Sequence, residues 1–173
     1  MHLSPLTKIW LDLCFLKAGP QELPASYFLL SLTVTCYLVV NTIISLPSLG
    51  AANSIGIAVL DVLLLAAFLH LLLKVRGLGA RFTQTLSALT GTGTMMAFLA
   101  LPLVPGLQRS AAEKSGGELN ALLWLGLMIW SLMILGHILR HTLSTTLAVG
   151  MMLGVAYTML SIFFIQILFP EAS

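Results

Sequence analysis

Asp61 is the residue from which chemistry is first expected. It stands about seven residues into an apolar run, where a carboxyl group is costly and normally faces protein or a water-filled cavity. There it would serve as a proton or cation site, or as a hydrogen-bonded structural aspartate near the outer interface, tied to Asn41, Asn53 or a helix end. His70 follows nine residues later, about 180° round a straight helix, so one site cannot take both. His70 does share a depth with His137 and His141, and these last two are four apart, the spacing that puts two imidazoles on one helical face. Three neutral histidines suit zinc or copper. However, no glutamate lies between His137 and His141 in a metalloprotease pattern, no cysteine partners them, and interfacial histidines also bind lipid phosphate or water. No metal or cofactor is assigned. The candidate intramembrane polar site is therefore Asp61, His70, His137 and His141.

Other polar patterns read as packing. Thr83, Ser87, Thr90, Gly91 and Thr94 recur at helical spacing, and Gly150-Met151-Met152-Leu153-Gly154 is a small-xxx-small pattern; both let helices approach closely. The methionines are adaptable packing residues, and Cys14 and Cys36 read as free thiols because they fit no metal or redox spacing. There is no nucleophile beside an activating base, no glycine-rich phosphate loop and no pair of carboxylates. The chain is not expected to be an enzyme.

Positioning these residues falls to membrane helices. Hydrophobic residues make up 58% of 173 and charged residues 8%, too few to build a water-facing surface, while about 100 apolar residues suffice for five crossings of about 20 each. The expected fold class is all-α, an integral membrane bundle of about five transmembrane helices after a short amphipathic helix. The net charge of +2 is scattered, and without a basic stripe nucleic-acid binding has no support.

Ser4-Pro5 and Lys17-Ala18-Gly19-Pro20 bracket a short helix. It suits the headgroup plane with Trp10 as interfacial anchor, or docking against the other helices. Residues 1–24 thus form a cytoplasmic or interfacial helix and linker, and 25–170 the transmembrane domain. Within it the spans are expected at Ser26 to Leu46, ended by Pro47-Ser48-Leu49-Gly50; at Ile55 to Leu73, capped by Asn53-Ser54; at Phe82 to Leu101; from Glu118, after a Ser115 capping box, to Leu139; and, past a hairpin at Arg140 to Ser144, on to Phe169.

Cytoplasmic loops retain positive charge. A cytoplasmic N-terminus puts Lys8, Lys17, Lys74, Arg76, Arg81 and Arg140 inside, and Arg109 and Lys114 outside. The C-terminus then lies on the outer side. Short connections and leucine-rich spans match a bacterial inner (plasma) membrane protein. Lys74, Arg76, Arg81 and Trp10 are the expected lipid or partner contacts; the partners are the bilayer and either a second copy or another membrane protein.

Ala18-Gly19-Pro20-Gln21-Glu22-Leu23-Pro24 ahead of the first span, Arg81-Phe82-Thr83-Gln84-Thr85 opening the third and Gly136-His137-Ile138-Leu139-Arg140-His141 closing the fourth resemble the Yip1-like group of small multi-spanning proteins, in particular its bacterial members. Of the Asp-Leu-Tyr-Gly-Pro motif of its eukaryotic members only Gly19-Pro20 remains, so a role with small GTPases and family site residues are not carried over. The resemblance implies a non-enzymatic protein that binds partners or organises the membrane. The alternative is a small transporter or ion-coupled carrier using Asp61.

Overall fold

The computed structural model describes residues 5–106 and 118–170. The Ser4 cap, the connection carrying Arg109 and Lys114, the Ser115 capping box and the tail 171–173 lie outside the described residues. Within them the protein is all-helical: α1 (Pro5–Cys14), α2 (Tyr27–Val75), α3 (Phe82–Ala100), α4 (Glu118–Leu143) and α5 (Leu147–Leu168). Four stretches are long and apolar enough to cross a membrane: α2, the stretch Gly79–Gly106 that contains α3, α4 and α5. Leu32, Val39 and Leu63 on α2, Leu122 and Met128 on α4, and Met152 and Phe163 on α5 are exposed. Such an outward apolar surface belongs against lipid, and the chain is a multi-pass membrane protein.

Where two spans with a loop between them are expected, the structure has one 49-residue helix, α2, broken at Gly50. The Ser26 hydroxyl caps it, accepting the Leu29 N–H at 3.4 Å. Straight, α2 would extend about 74 Å, more than twice the hydrocarbon thickness of about 30 Å. Gly50 instead takes φ 73° and ψ 169°, a conformation that lacks steric cost only without a Cβ, and Pro47 nearby removes a helical hydrogen bond. The halves fold back on each other, because Tyr37 and Asp61, 24 residues apart, are hydrogen-bonded, whereas a straight helix would separate them by about 36 Å. The expected cap at Ser54 is thereby corrected: helix resumes immediately after Gly50, and Ser54 is buried within it with no hydrogen-bond partner.

Three helix ends share one device. After α1, α2 and α4, a residue at positive φ (Leu16 61°, Gly77 67°, Ser144 52°) turns the chain. The next amide then reaches back five residues: Lys17 to the Asp12 carbonyl (2.7 Å), Leu78 to Leu73 (2.8 Å) and Thr145 to Arg140 (2.9 Å). These Schellman closures satisfy carbonyls that a helix end otherwise leaves orphaned. The hairpin after α4 therefore comes one turn later than expected, and Thr146 caps α5.

Helix α3 is the central element, packed against α1, α2 and α4, with every residue from Thr85 to Thr92 buried. Its small residues make this possible. A Cβ at Gly93 would stand 2.6 Å from the Tyr37 ring, and one at Gly91 would collide with Trp10. Across the hydroxyl row, Thr90 donates to Thr33 of α2 at 2.9 Å, and Thr85 pairs with Thr142 of α4 at 3.1 Å. The α4–α5 pair closes similarly: a Cβ at Gly150 would run into the Gly136 carbonyl, and one at Gly136 would lie 2.5 Å from Met151 Sδ.

Helix α1 docks into the bundle, so of the two placements open from the sequence the structure takes the second. Gly91 lies about 14 Å along α3 from its start at Phe82, and the Trp10 ring sits on it. Trp130 donates its indole N–H to the Cys14 carbonyl at 2.9 Å, and Gln84 donates to the Leu23 carbonyl at 2.9 Å. These bonds supply partners for backbone carbonyls that hydrocarbon would leave unsatisfied.

Candidate functional site at Asp61

The Asp61 carboxyl group joins three segments. Tyr37 of the first half of α2 donates its hydroxyl to Oδ2 at 2.6 Å. From α5, Tyr157 and Ser161 donate to Oδ1, each at 2.8 Å. The Tyr157 hydroxyl also lies 3.3 Å from the Asp61 carbonyl oxygen. Tyr157 and Ser161 are four apart, on one face of α5, and Tyr157 leans on Phe68 with ring centroids 5.5 Å apart. Asp61 thus bridges the two halves of α2 and fastens both to the last helix.

The expected partner Asn41 is turned elsewhere. The Asn41 side chain donates to the Tyr37 carbonyl at 2.9 Å, one helical turn back. Tyr37, Tyr157 and Ser161 are not among the residues expected from the sequence, although it carries a signal for them. The chain has three tyrosines, and a phenol deep in an apolar span needs a hydrogen-bond partner. Two tyrosines at mid-span and one mid-span acid are complementary.

The histidines do not join this cluster. His70 is exposed and lies edge-on to Phe82, with centroids 5.9 Å apart. His137 is buried, its Nε2 3.0 Å from the Ala18 carbonyl oxygen, and its ring packs on His141 at 4.5 Å. Among the described residues no group of three potential metal ligands gathers. His137 and Trp130 anchor the segment after α1.

The basic residues divide. Lys74 and Arg76 are exposed. Arg81 is half-buried and donates through Nη1 to the Thr142 carbonyl at 2.7 Å, with Ser144 Oγ at 3.4 Å. It ties the turn before α3 to the turn after α4, and brings both basic turns to one end of the bundle. Trp10, expected as a lipid or partner contact, is half-buried with its ring on Gly91, where the missing Cβ leaves room for it.

Both cysteines are free thiols. Cys14 is buried, 3.6 Å from Met95 Sδ, and burial pushes its thiol up to about 11; Cys36 is exposed.

Beside the Asp61 cluster, a cleft of about 630 Å³ runs between α2, α3, α4 and α5, with Tyr37, Asn41, Met96, Trp124, Met128 and Thr158 among its walls. It is largely apolar and shares Tyr37 with the carboxyl site.

Compared with protein-family models, curated proteins and solved structures, the chain matches none.

Proposed function

We propose that the protein is a non-enzymatic, Yip1-like membrane protein that crosses the bilayer five times and acts by binding partners or organising lipid at its basic end. The single observation that carries this reading is the closure of Asp61 by three hydroxyl donors. A carboxyl so engaged fastens helices together. Other polar groups at membrane depth pair locally, Thr90 with Thr33, Thr85 with Thr142 and His137 with Ala18, while the buried hydroxyls of Ser54 and Ser87 have no hydrogen-bond partner. None of these pairs includes a residue bonded to Asp61.

The break at Gly50 supports counting α2 as two crossings, since each half is near the length of one span. Arg81 gathers the 74–81 turn and the 140–146 turn at one end, and the bond from His137 to Ala18 brings Lys17 there too. That concentration favours a cytoplasmic basic end and N-terminus in a bacterial inner membrane, with the C-terminus outside. A second copy or another membrane protein would dock there.

The cleft favours a second reading. Tyr37 both lines it and binds Asp61, as a carrier that senses cargo through a titrating carboxyl would require. Proteoliposomes separate the two. The leading reading predicts no pH-driven flux in either the native protein or Asp61→Asn. Flux in the native protein that disappears in a stably folded Asp61→Asn would establish the carrier.

A further inference from the structure

Where α3 begins, α4 ends and α5 begins, a recess of about 610 Å³ opens, its walls including Gln21, Arg81, Arg140, His141, Thr145 and Thr146. Among the described residues neither Arg81 nor Arg140 is in an ion pair. Glu22, the acid acting on His141, is held in its own turn, accepting the Gly19 N–H at 3.1 Å. The Thr145 hydroxyl is shielded from solvent and has no hydrogen-bond partner. The 22-residue helix α5 starts here. Thr146 accepts the Val149 N–H at 3.4 Å, while the amides of Leu147 and Ala148, in the first turn, lack helical acceptors. Arg81 spends one arm of its guanidinium on Thr142 and Ser144, and the rest of its five donors remain.

We propose that this recess is a binding site for a phosphate group, carried by an anionic phospholipid or free in solution. Two guanidiniums, whose planar forks fit phosphate oxygens, converge with an imidazole and with the positive end of a helix. A bound phosphate would compensate Arg140 and take the free donors of Arg81. The recess lies at the ends of three membrane-length helices, the level at which lipid phosphates sit. It stands whether the protein binds a partner or carries an ion.

The test compares the native protein, Arg140→Gln and Lys8→Gln, which removes an exposed charge outside the recess. Each is exchanged into mixed phosphatidylcholine–phosphatidylglycerol micelles, and retained lipid is read by native mass spectrometry. In parallel, melting is followed with inorganic phosphate against chloride at matched ionic strength. The native protein should retain phosphatidylglycerol, Arg140→Gln should retain it about tenfold less or weaker still, and Lys8→Gln should equal the native protein. Stabilisation by inorganic phosphate that is lost in Arg140→Gln, without lipid preference, supports the site with a soluble source. Equal losses in both variants would mean diffuse attraction and overturn the site, as would binding of neither probe. If Arg140→Gln does not fold, Arg140→Lys replaces it: the charge stays but the fork is gone, so unchanged retention would overturn the proposal.

Discussion

Tyr37 and Asp61, 24 positions apart on the two halves of α2, are joined side chain to side chain by a 2.6 Å hydrogen bond. The bond requires the break at Gly50, and it turns an apolar 49-residue helix into a hairpin with a defined register. Tyr157 and Ser161 then fix the last helix to the same carboxyl. The chain's one mid-span acid is in this way the point where its first and last membrane segments meet.

Removal of single donors should be graded. Tyr37→Phe and Tyr157→Phe each delete one hydrogen bond to a carboxyl, a loss of about 1.5 to 3 kcal/mol if it is ionised and about 1 kcal/mol if neutral. Ser161→Ala should fall at the lower end, because Tyr157 still serves the same oxygen. Melting in a mild detergent ranks them. A variant of either tyrosine that melts with the native protein would remove that residue from the cluster.

Glycine positions give a backbone test free of packing. Nothing lies within 4 Å of a Cβ built at Gly50, Gly77 or Gly79, but only Gly50 and Gly77 have positive φ. Gly50→Ala and Gly77→Ala should each lower stability by about 1 to 2 kcal/mol through conformation alone. Gly79→Ala should be neutral. Equal effects at all three positions would contradict the turns as described.

Docking of α1 can be read from thiol chemistry. With Cys36→Ser as background, the raised thiol of Cys14 should react with a small disulfide reagent roughly 100-fold more slowly than an ordinary thiol near pH 8, since the thiolate is the nucleophile. Its rate should keep rising with pH towards about 11, where an exposed thiol levels off near 9. Gly91→Leu, which evicts Trp10, should release Cys14 to normal reactivity. Fast labelling of Cys14 in the otherwise native protein would mean that α1 does not dock.

The sequence was most legible where composition or period decides. Apolar content implied membrane helices, the Thr and Gly row of α3 and the Gly150/Gly154 pair read as helix contacts, and Asp61 stood out because a carboxyl in hydrocarbon must be satisfied. Its partners were obscured because they lie on segments far apart in the chain, and helical period says nothing about which faces meet. Pro47 and Gly50 together looked like a loop, whereas one glycine at positive φ suffices to break the helix. Trp10 looked interfacial by residue type, but the seat that captures it is created by a glycine on another helix.

The central claim is that Asp61 is a structural tie, and melting of two Asp61 variants in detergent tests it most directly. Asp61→Asn keeps one oxygen for Tyr157 and Ser161 and an amide that the Tyr37 hydroxyl can accept, so it should melt close to the native protein. Asp61→Leu leaves three hydroxyls without their partner, at about 1 to 3 kcal/mol for each group that stays unsatisfied, and should melt on the order of 10 °C lower. Native-like melting of both Asp61→Asn and Asp61→Leu would contradict the account.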